Sequence, residues 1–185
     1  MTDPAGPVRL GSREVFRGRA VRLDLDTVRL PNGAEVELEM IRHAGAAAVV
    51  PLLEDGTVVL VRQVRYATGG WLLEVPAGKL DPGEAPEVCA RRETEEETGY
   101  RPGRLEPLGW IWTTPGFTDE RIWLYLATGL VAARQSLEAD EVLSVERMDF
   151  AAAVEMAARG DIQDGKTVCA LLRADRLRRG APAPP

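Results

Sequence analysis

Residues 78–100 read GKLDPGEAPEVCARRETEEETGY, and this stretch organises the interpretation of the whole chain. Pro82 and Gly83 are typical turn residues, and Pro86 suits the first turn of a helix, where its missing N–H costs nothing. No helix breaker follows until Gly99, which stands where a glycine that ends a helix would stand. The stretch therefore predicts a loop followed by one helix that ends near Gly99.

Acidic residues occupy one face of this helix. Glu93, Glu96 and Glu97 are spaced i, i+3 and i+4, so their carboxylates share a face and repel one another. A hard divalent cation that prefers oxygen ligands would offset this repulsion. The alternative is a solvated acidic helix face without a ligand, which is the ordinary role of such a run. The spacing of the other residues in the stretch argues for the first interpretation.

That spacing resembles the Nudix box, which runs Gly, five residues, Glu, seven residues, Arg-Glu, an aliphatic, any residue, Glu-Glu, any residue, Gly, an aliphatic. The seven fixed positions are matched by Gly78, Glu84, Arg92, Glu93, Glu96, Glu97 and Gly99. A chance match somewhere in the chain is on the order of one in a million. Thr94 and Tyr100 stand in the two aliphatic positions, so the departures fall on packing sites and leave the acidic positions intact.

Composition limits the remaining classes of function. The chain has 185 residues and a formal net charge of −6, and its only histidine is His43. The length suits one domain, and the acidic balance argues against broad nucleic-acid binding. One histidine cannot form a His-rich zinc site. We expect no membrane span and no signal peptide, and the isolated thiols of Cys89 and Cys169 suit a reducing cytoplasm.

Hydrophobic patterning outside the box predicts many strands and two more helices. We expect strands over residues 20–30, 34–43, 46–53, 57–64, 71–75, 105–112, 121–127 and 142–148, and helices over residues 150–159 and 165–177. Residues 1–12 are predicted to be loosely ordered. The pattern alone predicts an α+β protein, whereas the Nudix resemblance implies an α/β/α sandwich with a mixed sheet. We divide the chain into N-terminal strands at 1–43, a Nudix hydrolase domain at 44–180 and a disordered tail at 181–185.

The resemblance also implies the chemistry. The family hydrolyses a nucleoside diphosphate linked to another group, and divalent ions lie between its carboxylates and the pyrophosphate. Mg²⁺ is the expected ion and Mn²⁺ is the alternative. The ligands that the resemblance implies are Glu93, Glu96, Glu97 and the backbone carbonyl of Ala77. Arg92 is interpreted as a catalytic residue that orients the site by pairing with Glu96 or Glu84.

Residues outside the box resemble the ADP-ribose pyrophosphatase subgroup. Pro115 lies sixteen residues after Gly99, and the runs VPAGKLDPGE and YLATGL are similar to that subgroup as well. An ordinary turn is the alternative interpretation of the Pro115 loop. The substrate contacts that the subgroup implies are Arg42, Arg65, Pro115 and Glu120. For Arg42, a charge on the face of a strand is the alternative.

The acidic loop before Val142 is expected to supply the general base, because a carboxylate that faces a metal ion is a poor proton acceptor. The subgroup resemblance places a catalytic glutamate in this loop. We rank Glu138 first, Glu141 second and Asp140 third, since the shorter side chain of Asp140 reaches less far. The alternative is a flexible loop whose charges only solvate the surface.

The sequence therefore predicts a metal-dependent enzyme that hydrolyses ADP-ribose to AMP and ribose 5-phosphate. The alternative within this class is a hydrolase of other nucleoside diphosphate sugars, such as GDP-mannose. The alternative of another class is a non-catalytic Nudix module that binds a nucleotide, and the intact glutamates argue against it. The subgroup also implies a homodimer that exchanges N-terminal strands, and the hairpin predicted over residues 20–43 is long enough for this. We expect no nucleic-acid or membrane partner.

Overall fold

The computed structural model describes residues 6–19, 21–139 and 141–180. The strands are β1 (Val8–Arg17), β2 (Arg22–Arg29), β3 (Glu35–Arg42), β4 (Ala46–Pro51), β5 (Thr57–Arg65), β6 (Gly70–Glu74), β7 (Ala77–Lys79), β8 (Tyr100–Arg101), β9 (Arg104–Trp112), β10 (Arg121–Thr128), β11 (Val131–Ala132) and β12 (Leu143–Asp149). The helices are α1 (Pro86–Thr98), α2 (Phe150–Arg159) and α3 (Gly165–Arg178), and a 3₁₀ turn covers Tyr66–Thr68. The described residues belong to two compact units: an N-terminal unit within residues 1–44 and 112–121, and a second unit within residues 45–111 and 122–185.

The N-terminal unit contains an antiparallel sheet in the order β1-β2-β3. β2 and β3 form the predicted hairpin, which pairs from Arg22 with Arg42 to Arg29 with Glu35. The prediction of loose order is wrong for residues 8–12, because they belong to β1. All ten residues of β1 are exposed, so the strand has no buried face and its sequence does not alternate between apolar and polar residues. Backbone pairing with β2 orders β1 instead. Residues 1–5 and 181–185 lie outside the described residues.

The second unit contains two main sheets. In the first, of order β7-β4-β10-β9, β4 runs parallel to β10 and antiparallel to β7. The second sheet, of order β12-β5-β6, is antiparallel, and β8 and β11 form a short ladder. β7, β8 and β11 were not predicted, because runs of two or three residues are too short to show a period of two.

Helices cover both faces of β4. Ala47 of β4 packs in one buried cluster with Cys89 of α1. Its neighbour Ala48 points to the opposite face and packs in a second cluster with Phe150 of α2 and Leu171 of α3. Since successive strand residues face opposite sides of a sheet, the fully buried run of β4 requires two such layers. The predicted α/β/α sandwich is therefore confirmed.

The signals at the helix ends act as the sequence predicts. Gly99 has φ 71° and ends α1, and its N–H donates to the carbonyl of Glu95 at 2.9 Å. Asp149 caps α2 by accepting from the N–H of Ala152 at 2.9 Å, and Gly160 ends that helix with φ 89°. Within the described residues, none of the helices has the length and apolar character to cross a membrane.

Thr94 stands in an aliphatic position of the box, yet it lies in the interior. Its side chain is fully buried, and its hydroxyl donates to the carbonyl of Ala90, one turn earlier, at 2.7 Å. This bond satisfies the polar group inside the helix, so a threonine replaces the aliphatic residue without an orphaned hydroxyl. The departure from the family pattern is therefore compatible with the packing of α1 on the sheet.

Candidate active site

Two glutamates of α1 point into the second unit instead of into solvent. Glu97 is 2% exposed and Glu93 is 7% exposed. Burial, with the nearby charge of Glu93, raises the pKa of Glu97 to about 8. Burial also raises the pKa of Glu93 to about 7, although the adjacent Arg92 opposes this. Two neighbouring carboxylates whose charged forms are disfavoured by burial form a site that favours a cation.

Arg92 joins three of the box glutamates. Its Nε and Nη2 donate to the two carboxylate oxygens of Glu84, both at 3.0 Å. Its Nη1 donates to Glu93 Oε1 at 2.6 Å and to Glu96 Oε2 at 3.1 Å. The hydrogen bond from Arg92 lowers the pKa of Glu84 to about 2, so Glu84 stays ionised and holds the guanidinium. Arg92 thus pairs with both of the partners that the sequence suggested, Glu84 and Glu96.

The residues at β7 explain why the box begins with a glycine. A Cβ built on Gly78 would lie 1.9 Å from Glu93 Oε1, so only a glycine leaves room for that carboxylate. The N–H of Ala77 donates to Glu97 Oε2 at 3.1 Å. The thiol of Cys89 lies 3.5 Å from the carbonyl of Gly78, and burial raises its pKa to about 12. β7 therefore lies against the carboxylates of both buried glutamates.

The donor set suits a hard divalent ion. Within residues 6–19, 21–139 and 141–180, no group of three or more acidic, histidine or cysteine side chains is arranged to hold a metal ion by itself. One oxygen of Glu93 is held by Arg92, and one oxygen of Glu97 is held by Ala77. Mg²⁺ usually keeps several waters and takes only a few protein oxygens, so carboxylates supplemented by a carbonyl fit it without a full cage.

The acidic loop that follows β11 is fastened to the end of α1. The side-chain amide of Gln135 donates to the carbonyl of Glu97 at 2.6 Å, and the N–H of Ser136 donates to the carbonyl of Glu96 at 2.9 Å. These bonds satisfy carbonyls that a helix end would leave unpaired. The sequence interpretation missed Gln135, because a side chain that caps another element from 38 positions away leaves no local signal.

Both leading candidates for the general base lie in this loop. The N–H of Glu138 donates to Glu141 Oε2 at 2.8 Å, and the N–H of Glu141 donates to the carbonyl of Glu138 at 3.1 Å. The charge of Glu141 is among the causes that raise the pKa of Glu93 and of Glu97. Its carboxylate therefore lies within the electrostatic range of the box. Asp140, the third candidate, lies outside the described residues.

Arg65 is paired with a buried acid that the sequence interpretation missed. Its Nε and Nη2 donate to the two oxygens of Glu74, both at 2.8 Å, and Lys166 also contacts Glu74. Glu74 is 1% exposed. A glutamate inside the apolar run WLLEV was the available signal, because an acid in a buried strand needs a cationic partner. The charge of Arg65 also acts to lower the pKa of Glu97.

The other predicted substrate contacts belong to the N-terminal unit. Arg42 is paired with three aspartates: Asp24 at 3.1 Å, Asp119 at 3.2 Å, and Asp26. Glu120 accepts from the hydroxyl of Thr113 at 2.7 Å and lies 3.5 Å from His43 Nδ1. Pro115 is exposed. The aspartates around Arg42 agree with the strand-face charge that the sequence left as an alternative.

A family model described as the NUDIX domain matches residues 42–171. The chain belongs to the Nudix family. It is 40% identical over 162 residues to a methanol dehydrogenase activator of Bacillus methanolicus, covering 86% of this chain and 88% of that protein. It is 34% identical over 164 residues to an ADP-ribose pyrophosphatase of Bacillus subtilis (strain 168), covering 88% and 89%.

Two further similarities bear on the Nudix assignment. The chain is 39% identical over 150 residues to a GDP-mannose pyrophosphatase of Cronobacter sakazakii, covering 72% of this chain and 78% of that protein. A crystal structure of an ADP compounds hydrolase matches its fold with a TM-score of 0.80 at 24% identity, covering 97% of this chain and 98% of the other. The relatives carry different names, so membership of the Nudix family does not by itself specify the substrate.

Proposed function

We propose that this Nudix protein hydrolyses the pyrophosphate bond of ADP-ribose and releases AMP and ribose 5-phosphate. The observation that carries the proposal is the pair of buried glutamates on α1, Glu93 and Glu97. Arg92 and the space above Gly78 hold Glu93, and the N–H of Ala77 holds Glu97. The similarity to an ADP-ribose pyrophosphatase over 88% of the chain supports this substrate. The loop around Pro115, which resembles that subgroup, is the second support.

The reaction adds one water to the substrate. The water oxygen bonds to one phosphorus, the bridging P–O bond breaks, and the water loses a proton. The residues that would hold a divalent ion are Glu93, Glu96, Glu97 and the carbonyl of Ala77, with Mg²⁺ as the expected ion. When bound, such an ion supplies charge neutralisation and a lower pKa for bound water. Arg92 neutralises part of the box and fixes three of its carboxylates, those of Glu84, Glu93 and Glu96.

The substrate contacts follow from the same proposal. Arg65 would donate to the pyrophosphate from the second unit, which also carries the box. Arg42, Pro115 and Glu120 would also contact the substrate, as the subgroup resemblance implies. Arg42 would do so alongside its ion pairs with three aspartates, so its contribution would be partly neutralised.

A glutamate of the acidic loop would accept the proton from water. The sequence ranks Glu138 ahead of Glu141, whereas the electrostatic influence of Glu141 on both buried glutamates favours Glu141. The N–H of Glu138 donates to Oε2 of Glu141, so the other carboxylate oxygen, Oε1, stays outside this bond and could accept the proton. We therefore propose Glu141 first and keep Glu138 as the alternative.

The proposal extends to assembly and location. β1 lies at the edge of its three-stranded sheet and leaves four apolar side chains exposed, those of Val8, Leu10, Val15 and Phe16. A homodimer formed through the N-terminal strands would cover these side chains. The two unpaired cysteines support a reducing cytoplasm as the location.

Product analysis tests the substrate. Purified protein with Mg²⁺ is incubated with ADP-ribose or with GDP-mannose, and the products are identified by mass. We expect AMP and ribose 5-phosphate, with a kcat/KM for ADP-ribose at least ~10-fold above that for GDP-mannose. Glu97→Gln, prepared in the same way, is the control for contaminating enzymes, and its kcat should fall by at least ~10². Faster turnover of GDP-mannose would favour the alternative and contradict the proposal.

A further inference from the structure

A buried ionic cluster lies beside the box in the second unit. Glu74 stands at the end of β6, where it is 1% exposed and accepts two hydrogen bonds from Arg65, both at 2.8 Å. Lys166 of α3 contacts Glu74 from another side and lies 3.0 Å from Asp164 Oδ2. Two cations and two carboxylates therefore balance within the cluster. The function proposed above gives no role to Glu74 or Lys166.

Glu74 is ionised despite its burial. Burial alone raises the pKa of its carboxyl, but the hydrogen bonds and charges of Arg65 and Lys166 outweigh this effect and lower the pKa. A charged acceptor with two good partners makes shorter and stronger hydrogen bonds than a neutral one. The guanidinium of Arg65 is therefore held in a defined plane by a bidentate contact.

The backbone around Glu74 is fastened as well. The N–H of the next residue, Val75, donates to the hydroxyl of Thr167 at 2.8 Å. Thr167 is fully buried, and its own N–H and hydroxyl donate to Asp164, the residue that caps α3. The N-terminal turn of α3 thus holds the end of β6 from two directions. Glu74 is a rigid acceptor and cannot follow the movements of Arg65.

Arg65, by contrast, reaches the surface. Its side chain is 41% exposed, and its contacts with Glu74 use Nε and Nη2 while Nη1 stays outside the bidentate pair. Its charge acts on Glu97, so the guanidinium lies within electrostatic range of the box. A planar cation with one edge fixed and one edge open is suited to donate to a phosphate oxygen.

We propose that Glu74 is a positioning residue, which orients Arg65 so that its open edge binds the diphosphate of the substrate. This inference rests on the proposed function, in which Arg65 contacts the substrate. Glu74 does not touch the substrate itself, because its side chain is buried. Lys166 shares the charge of Glu74 and fixes it to α3, so that the acid remains ionised and keeps its contact with Arg65 while the open edge binds the diphosphate.

Electrostatics alone predicts the opposite change in affinity. Removal of a negative charge near an anion site would by itself strengthen the binding of a diphosphate. Loss of orientation would weaken it, since Arg65 would have to be ordered anew for each binding event. The sign of the change in affinity for Glu74→Gln therefore separates positioning from simple charge.

The probe is α,β-methylene-ADP with Mg²⁺, whose diphosphate resists cleavage, and its Kd is measured by calorimetry. We expect Glu74→Gln to raise the Kd roughly tenfold, as is typical when a partner that orients a binding group is lost. Arg65→Ala should raise the Kd at least as much, and the double variant should match Arg65→Ala. For ADP-ribose, Glu74→Gln should raise KM about as much and leave kcat within about threefold.

Glu95→Gln is the matched control. Glu95 accepts the same bidentate contact, from Nε and Nη2 of Arg101, both at 2.8 Å, but this pair is exposed. The Kd should stay unchanged in this variant. If Glu74→Gln fails to fold, Arg65→Lys tests the same geometry, because a lysine keeps the charge but cannot make the bidentate contact. It should raise the Kd by a similar factor.

An unchanged or lower Kd for Glu74→Gln would overturn the inference, and so would the same result for Arg65→Lys if Glu74→Gln does not fold. Additive effects of the two substitutions in the double variant would also overturn it. The third contrary outcome is that the native protein does not bind the probe. Failure of the proposed function is a separate observation. If the native protein does not cleave ADP-ribose, that function is wrong, while the binding cycle with the probe still decides whether Glu74 acts through Arg65.

Discussion

Glu93 contacts three neighbours whose removal would each change the site in a different way. Its carboxylate fills the space above Gly78 and accepts from Arg92, and its charge raises the pKa of Glu97. At the scale of residues, the position of the Glu93 carboxylate therefore depends on packing as much as on charge. A side chain added at Gly78 would act on Glu93 without removing any charge.

We predict that Gly78→Ala lowers kcat with ADP-ribose by at least ~10², because the new Cβ would overlap the carboxylate of Glu93 and push it out of the site. Far-UV circular dichroism should stay unchanged. Gly165→Ala is the control: nothing lies within 4 Å of its added Cβ, so activity should be retained. Near-native turnover of Gly78→Ala would show that the position of Glu93 is not required.

The loop carboxylates allow a second prediction at this scale. Glu141→Gln should lower kcat by ~10²–10⁴ and leave the affinity for the metal ion nearly unchanged, because it removes a proton acceptor and not a ligand. Glu138→Gln should retain most of its kcat, since only its backbone holds Glu141. Steady-state kinetics of the two variants decides the order: loss of kcat in Glu138→Gln alone would restore the ranking from the sequence. Full activity in both would exclude the loop from catalysis.

At the scale of elements, α3 and β6 depend on each other. Asp164 caps α3, and its partner Thr167 holds the backbone of Val75. Lys166 of the same helix turn completes the ion pair of Glu74. These contacts join segments 92 positions apart in the chain, so the ionisation of one glutamate should be visible in the stability of the fold.

The pH dependence of unfolding tests this link. The pKa of Glu74 is lower in the folded protein than in the unfolded chain, where it is about 4.5. The ionised carboxylate therefore adds to the free energy of unfolding at pH values above 4.5. This stabilisation is lost as the pH falls through the pKa of the folded protein. We expect Glu74→Gln to lose about 3 kcal/mol of unfolding free energy at pH 7. The difference from the native protein should shrink below pH ~4.

Urea unfolding of both proteins at several pH values measures this difference. Glu35→Gln is the control, because the pair of Glu35 with Arg29 is half exposed on both sides and should contribute less than ~1 kcal/mol at any pH. An equal loss for Glu74→Gln at every pH would mean that packing, and not the charge of Glu74, accounts for the effect.

At the scale of the whole molecule, the exposed apolar side chains of β1 need a cover. We predict a homodimer of about 40 kDa, twice the 20.2 kDa of one chain, in light scattering at micromolar concentration. Phe16→Asp should shift the mass toward the monomer, because it places a charge among side chains that are 57% exposed at Phe16 and 51% at Val15. Leu172→Asp, an exposed apolar position on α3, should leave the mass unchanged. A native monomer would contradict the prediction.

Several features were determined by the sequence alone, because the physics behind them is local. The bounds of α1 follow from Pro86 and Gly99, and the spacing of Glu93 and Glu97 places them on one face of any helix. The cap of α2 at Asp149 and the hairpin of β2 and β3 are equally local. The family resemblance followed from the short-range spacing of the box residues between Gly78 and Gly99.

Only the tertiary structure decided which charges are buried and which groups hold them. No sequence spacing predicts that Glu74 accepts from both Arg65 and Lys166, because Lys166 is 92 positions away and the pair forms only when α3 docks beside β6. The sequence pattern did not predict β1 for a related reason. This strand is ordered by its pairing with β2 and has no buried apolar face. Burial and pairing depend on how distant segments meet. The pattern of one segment can therefore show that Glu74 needs a cationic partner, but it does not identify Lys166 as that partner.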